Sequence, residues 1–485
     1  MPTRNVDVVI LGGGNAGMGV TVATREAGLE VVMLEPDLMG GTCPNRGCMP
    51  KKVLVAAAHA LDEIERAKTH CITVGEPSLD WAALIDREKA MIAGIPGSLA
   101  GLMTRRGVEV IRGRGRFAEP NAVAVGSETL EAKHIVIATG STPRKLPFPG
   151  AELMITSDDV LNERRLPASV VFVGVGVIAL EFSHVYARAG AAVTILEVLP
   201  RLLGNVDADA VAQLRAATER LGIAIHTGVD VRRIERSGVR LHVVYEEGGS
   251  ERTVEAERVV NGAGRVANVA GLDLAAGGVQ VEHGRIAYDP YLRSTSNEAV
   301  YACGDVVTEH AQVSPIATYE GRIVGRNIVD GPRHTPDYAS IPSCVFTVPA
   351  LASVGLTQAV AKQQGIDLKC RGQRHARVAI GPHLRVVGGV VESADRQEDR
   401  SHRWRTSLRA YRRRADPYFR AGNEARHHRD RDQGLRLRLP DFFRRHQIDA
   451  VAAASPLTSA LSPRAGRGSD PRIPGSSPGR RVRGS

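Results

Sequence analysis

From Met1 to Gln373, apolar positions recur in two rhythms: short unbroken runs that read as strands, and stretches of helical spacing between them. The run from Val6 enters a glycine turn ending at Gly14, a helix-like stretch covers Ala16 to Ala27, and a second strand, Glu30 to Leu34, ends at Glu35. The same order returns further along. Ser169 to Val177 reads as strand and turn, a helical stretch runs through Gly190, and Ala192 to Glu197 is the matching second strand. Alternating strands and helices predict an α/β protein with parallel sheets, and two such units suggest two dinucleotide sites. Residues 338–370 look like the first strands of a further domain. Beyond about residue 450, Ser, Pro, Gly and Arg dominate, which predicts disorder.

The glycines give the first chemical clue. Gly12, Gly14 and Gly17 have G-x-G-x-x-G spacing between strand and helix, and Glu35 follows at the distance expected of a ribose-binding acid. The first glycine makes the turn, the second admits a pyrophosphate to the helix N-terminus, and the third packs helix on strand; the acid takes ribose hydroxyls. Gly174, Gly176 and Ala179 repeat the spacing, and Glu197 stands as far beyond Gly176 as Glu35 does beyond Gly14. An acid there favours NAD over NADP, because it repels a 2′-phosphate, although Arg201 nearby weakens that preference.

Composition changes this picture only at the C-terminal end. The 485-residue chain is 43% hydrophobic and 24% charged, as for a globular protein, and no apolar run suits a membrane span, so a cytoplasmic location is expected. The net charge of +10 is unevenly placed. Residues 1–373 hold 38 basic and 42 acidic side chains; residues 374–485 hold 25 basic, all Arg, and 11 acidic. The chain reads as two compositional objects joined near residue 373. An arginine-only tail without interleaved aromatics is the weaker case for nucleic-acid binding.

Cys43 and Cys48 lie in GGTCPNRGCMPKK. If one helix begins near the first, the two sulfurs share a face within disulfide reach, and the helix N-terminus lowers thiolate pKa values. A redox pair is then plausible. The alternatives are two buried cysteines or zinc, but zinc needs two further ligands at motif spacing, and no metal site is expected. Cys71, Cys303, Cys344 and Cys370 are scattered and read as core residues. Nicotinamide delivers hydride whereas thiols exchange electron pairs through sulfur. A flavin in the first unit, with nicotinamide in the second, is the economical mediator.

The cysteine motif, the two glycine turns, ATGSTPR at Ala138–Arg144, NGAGRVAN at Asn261–Asn268 and VYACGDV at Val300–Val306 together resemble the flavin-dependent pyridine nucleotide–disulfide oxidoreductases, which include dihydrolipoamide dehydrogenase, glutathione reductase and mercuric reductase. The resemblance covers residue 5 to about 373. It implies two Rossmann-like domains binding FAD and NAD(P)H, with a truncated or scrambled α+β interface domain. The implied divisions are 1–150 and 269–337 for FAD, 151–268 for NAD(P), 338–373 for the start of the dimerisation domain, and 374–485 for an aberrant tail. It also implies that Cys48 is the thiolate nearer the flavin and Cys43 exchanges with substrate. Lys52 would pair with Glu181 beside the flavin, Glu35 would hold the adenosine ribose and Asp305 the ribityl chain. Gly140 and Gly264, in the two intermediate motifs, join the cofactor-binding positions. The partner would be a small-molecule or protein disulfide, with family homodimerisation in doubt.

Several family features are missing. No cysteine follows Cys370, which leaves mercury reduction with little support. No His-Pro-Thr string with a following glutamate occurs, and His446 is followed by Gln447, so the general acid–base group is absent. Read one nucleotide forward, stretches of the tail yield family-like strings in the right order. Residues 374–485 are therefore expected to be out of frame and not to fold as an interface domain, leaving flavin binding, diaphorase-like transfer and weak or absent disulfide turnover. Two other readings remain: an FAD-dependent NADH dehydrogenase without thiol chemistry, and a degenerate core carrying a nucleic-acid-binding tail.

Overall fold

A computed structural model describes residues 2–366, except 283, 308–311 and 339–340, together with the strands Lys369–Cys370, Gln373–Ala379, Arg385–Asp395 and Arg403–Arg409. The disorder expected for residues 450–485 falls outside the described residues.

The first strand, Thr3–Leu11, leads through the glycine turn into helix α1 (Asn15–Glu26) and back to the parallel strand Val31–Leu34. Seven strands form this sheet, in the order Glu109–Ile111, Val31–Leu34, Thr3–Leu11, Glu128–Ile137, Ala122–Val125, Arg116–Glu119, with Val300–Ala302 parallel to Glu128–Ile137. The central strands are apolar without alternation because both faces are covered: Val8, Val9 and Ile10 have no exposed surface. The last strand to join, Val300–Ala302, arrives long after its neighbour in the chain, so the first unit is interrupted in sequence and closed by a returning segment.

Inside that interruption lies the second Rossmann-like unit. The parallel order is Ala224–Thr227, Ala192–Glu197, Ser169–Val173, Arg258–Asn261, followed on one side by an antiparallel ribbon of Asp230–Ser237, Arg240–Glu247 and Ser250–Ala256. Two helices follow Gly41: α2 (Thr42–Arg46) and α3 (Cys48–Ala67). The second unit's turn opens α4 (Val177–Arg188), and the returning segment carries α5 (Ser314–Asp330). Helix α3 lies against α4 and is tied to it by Arg188 Nη2 to Asp62 Oδ1 at 2.7 Å. Helices α1 and α5 cross so closely that a Cβ added at Gly321 would stand 2.1 Å from the Ala16 carbonyl oxygen. That position excludes any side chain.

Strands Ser343–Val345 and Ala350–Val354 open a further sheet, as the sequence suggests for residues 338–370. The sheet then departs from expectation. Arg403–Arg409 pairs with Ala350–Val354, Arg385–Asp395 pairs with Arg403–Arg409, and Gln373–Ala379 pairs with Arg385–Asp395. Strand pairing thus continues past residue 373, into residues not expected to fold as an interface domain. The physical reason is local: Val386, Val387, Val390 and Val391 give Arg385–Asp395 strand-forming residues whatever the origin of the tail.

Candidate active site

Both glycine turns are built alike. Gly12 has φ +116°, and a Cβ there would lie 2.4 Å from the Ala138 oxygen; Gly174 has φ +82°, with a Cβ 2.6 Å from the Ala263 Cα. Gly14 and Gly176 occupy the N-cap positions of α1 and α4 with no side-chain cap, so backbone N–H groups face outward for an anion. A Cβ at Gly17 would stand 2.1 Å from the Gly12 oxygen, which is the close helix–strand packing that the third glycine permits. Glu35 accepts from Gly13 N at 2.8 Å and Asp37 N at 2.9 Å; Glu197 accepts from Val175 N at 2.7 Å and Leu199 N at 2.8 Å. Each acid is therefore fixed by its own turn at the end of the second strand.

The cysteines are not on one helix. Gly47, at φ −139° and ψ −117°, separates α2 from α3, so Cys43 belongs to the short helix and Cys48 is the first residue of the long one. Both are free thiols, hydrogen-bonded to each other. The bond to Cys43 lowers Cys48 to about 6, against burial, with Lys51 and Lys52 helping and Glu181 opposing. Cys43 moves the other way: its bond to Cys48 and its burial raise it well above the usual thiol range, and a contact with Ser314 offsets part of this. One sulfur is poised as thiolate and its neighbour as thiol.

The expected Lys52–Glu181 pair is corrected. Lys51 Nζ makes the ion pair with the buried Glu181, while Lys52 Nζ stands 4.7 Å from the centre of the Phe346 ring. The register of α3 is the reason. Counted from the break at Gly47, Lys51 and Lys52 are about 100° apart around the helix, and only one can face α4. Glu181 Oε1 also accepts from Phe346 N at 2.8 Å, which links α4 to the sheet that follows.

The remaining cysteines divide. Cys303 is fully buried, as a core residue should be, whereas Cys71 is exposed at φ +61° at the end of a short turn, so its core reading fails. Cys344 is half-buried near Glu181, Lys51 and Lys52, and burial pushes it up to about 12. The surroundings of Cys370 lie outside the described residues.

Asp305 follows Gly304, whose φ is +81°, and accepts from Ser141 Oγ at 3.1 Å. Burial raises its pKa, with Ser141 and Arg265 pulling against the rise. Arg265 donates to Ser141 Oγ at 2.8 Å and to its carbonyl at 2.7 Å, fixing the strand pair Ser141–Pro143 and Arg265–Ala267. Gly140 and Gly264 flank that pair at φ +72° and +92°, joined across it by Asn268 N to the Gly140 oxygen and Arg144 N to the Gly264 oxygen.

A family model described as pyridine nucleotide-disulphide oxidoreductase matches residues 6–321, which is more than half of the chain. The chain belongs to this family. Similar proteins include a dihydrolipoyl dehydrogenase of Rhizobium etli, 31% identical over 391 residues, covering 76% of this chain and 81% of the relative. A mercuric reductase of Streptomyces lividans is 33% identical, covering 75% and 78%, and a glutathione reductase of Burkholderia cepacia is 32% identical, covering 82% and 91%. The enzyme is thus an FAD-dependent pyridine nucleotide-disulphide oxidoreductase, and the family's cofactors are FAD and NAD(P)H.

The residues present fit both cofactors. Each turn keeps the space that a Cβ would fill, an uncapped helix N-terminus and an oriented acid. Sequence reasoning missed three site residues. Lys51 was hidden by its neighbour. Ser314, at the start of α5, receives a hydrogen bond from Asn15 and touches Cys43, yet the whole second unit separates it from that cysteine along the chain. Ser141 was concealed inside the ATGSTPR string as a turn residue. No described helix is long and apolar enough to cross a membrane.

Proposed function

We propose that this enzyme passes electron pairs between NAD(H) and the Cys43–Cys48 pair through FAD held at the first glycine turn, acting on a disulfide or dithiol substrate in the cytoplasm. The observation that carries the reading is the unequal thiol pair, with Cys48 lowered to about 6 beside Lys51 and Lys52, and Cys43 raised beside it. Bound flavin supplies the two-electron step between nicotinamide and sulfur. On this reading Gly12, Gly14 and Gly17 admit the pyrophosphate, Glu35 takes the ribose, and Asp305, Gly140 and Gly264 hold the rest of the cofactor near the sulfurs. Gly174, Gly176 and Glu197 take the nicotinamide dinucleotide.

Reduction of the disulfide needs two electrons; at neutral pH it leaves Cys48 as thiolate and puts one proton on Cys43. Lys51 and Lys52 stabilise the negative sulfur, and Glu181 keeps Lys51 in place. Oxidation by a substrate disulfide requires Cys43 to lose that proton before it attacks one substrate sulfur, breaking the substrate S–S bond, forming a mixed disulfide and releasing the other sulfur as thiolate; Cys48 then attacks Cys43, closing the pair and releasing the second substrate thiolate. Ser314 eases the deprotonation of Cys43. The family's C-terminal acid–base histidine has no counterpart in the sequence, so disulfide turnover is expected to be slow relative to transfer to artificial acceptors. Homodimerisation is expected from the family, through whatever interface the last sheet provides.

NAD is favoured over NADP. Glu197, fixed by Val175 N at the end of its strand, is an acid that would repel a 2′-phosphate, and Arg201 is engaged by its own loop, donating to the Val206 oxygen at 2.7 Å and the Gly204 oxygen at 2.6 Å. The test is anaerobic reduction of the purified FAD-loaded protein with NADH, followed by thiol counting. Two new thiols that map to Cys43 and Cys48 support the proposal; flavin reduction without new thiols refutes the sulfur step.

A further inference from the structure

Behind Asp305 lies a buried carboxylate that the proposed chemistry does not use. Glu320 sits in α5 with 1% of its surface exposed. One of its oxygens accepts from Gly304 N at 2.6 Å, and the other from Tyr338 Oη at 2.8 Å. Gly304 is the left-handed residue of the turn that presents Asp305. Tyr338 belongs to the segment 331–338, which runs from the end of α5 toward the last sheet and is fastened to α5 at Asp330, whose Oδ2 pairs with His334 Nε2 at 2.8 Å, and at three residues further back along the helix. Asn327 donates to the His334 oxygen and accepts from Arg333 N and His334 N, and Tyr319 Oη accepts from Asp337 N at 2.9 Å. Glu320, bonded by Tyr338, makes the last of these fastenings, and it also reaches the turn.

We propose that Glu320 is a positioning residue of the flavin site, and that Tyr338 couples its hold on the Gly304–Asp305 turn to the seating of segment 331–338. This rests on the reading that Asp305 contacts the flavin. A carboxylate with two oxygens serves two donors, one on each side: the turn and the segment. If the segment leaves, Glu320 loses one of two hydrogen bonds in a buried place, and its remaining partner is the turn itself. If cofactor orders the turn, Glu320 is fixed for Tyr338. Cofactor occupancy and attachment of the segment leading to the last sheet thus stabilise each other.

Protonation tests the arrangement from inside. Burial raises Glu320 to about 7, with Tyr338 and Gly304 N lowering it and Asp305 raising it. Cys303 also feels its charge, and Tyr288 and Tyr319 surround the Tyr338 hydroxyl. A proton on the oxygen facing Gly304 N would break that hydrogen bond; on the oxygen facing Tyr338 it reverses the bond, the phenol oxygen accepting, and in either case the hold on the turn loses the strength that the negative charge gave it.

The experiment uses the full chain stripped of FAD, measuring FAD affinity by quenching of flavin fluorescence between pH 6 and 8, and protease cleavage within 331–338 with and without FAD. Asp305→Ala serves as the reference and weakens FAD about tenfold or more. Tyr338→Phe is expected to weaken FAD about threefold to tenfold and to abolish protection of the segment by FAD. Wild-type affinity should fall as the pH drops through about 7; Glu320→Gln should flatten that dependence while keeping an acceptor for Gly304. Should Tyr338→Phe and Glu320→Ala both bind FAD within twofold of wild type while Asp305→Ala does not, the coupling is wrong and the flavin site stands. Should Asp305→Ala also bind normally, both fall. If Glu320→Ala does not fold, Tyr338→Phe decides alone.

Discussion

The two glycine turns share spacing, a positive-φ first glycine and an acid held by the same pair of backbone N–H groups, yet their surroundings differ. The first is walled. Asn15, the opening residue of α1, bonds to Ser314 at the start of α5, and α5 is pressed against α1 at Gly321. The second is open: Val177 and Ile178 at the start of α4 are 39% and 38% exposed. The same local module thus makes an enclosed site, suited to a resident cofactor, and an accessible one, suited to a cofactor that comes and goes. What separates them is the returning segment, not the motif.

The largest break should come at the first glycines. Gly12→Ala meets both a backbone oxygen and an unfavourable φ, and should leave the purified protein without FAD, an affinity loss of about a hundredfold or more, read as the flavin-to-protein ratio. Gly174→Ala should leave that ratio intact and cut the rate of flavin reduction by NADH by a similar factor, seen in stopped flow. Loss of flavin from both variants would erase the distinction between walled and open sites.

Between α3 and α4, Lys51→Met should destabilise the protein by about 3 kcal/mol, because it leaves Glu181 buried without its ammonium, whereas Lys52→Met should cost far less; urea unfolding measures both. Alkylation supplies a sharper probe. Labelling of Cys48 by iodoacetamide should rise with pH through about 6, and Cys43→Ala, which removes its first stabilising partner, should move that rise upward; mass spectrometry across pH 5–9 locates it. The smallest effect concerns the open site. Glu197→Ala should relax discrimination against NADPH about tenfold in kcat/KM, while Arg201→Ala should leave the preference unchanged.

Local features of the site were legible because local spacing determines them. The glycine turns, Glu35 and Glu197 need only a strand, a turn and a helix in sequence, and each appears where its spacing puts it. That Cys43 and Cys48 lie together was legible from their spacing, but their geometry was not, because a single glycine, Gly47, decides whether two cysteines share one helix. The same break sets the register that turns Lys51 toward Glu181 and Lys52 toward Phe346. Ser314 and Glu320 left no trace in spacing, since α5 meets the first turn only after the whole second unit has intervened. Strand pairing beyond residue 373 was missed for another reason. Charge bias dominates that segment by eye, whereas valines at short intervals are enough to extend a ladder.

The strand Val300–Ala302 and helix α5 carry a consequence for how the chain is made. The second unit, whose parallel strands run in sequence from Ser169 to Asn261, can close as soon as it leaves the ribosome, whereas the earlier-born N-terminal sheet lacks a strand and a helical wall until residue 330 has emerged. The part synthesised first therefore finishes last, and until then its apolar edge is the stretch of the nascent polypeptide most in need of a chaperone.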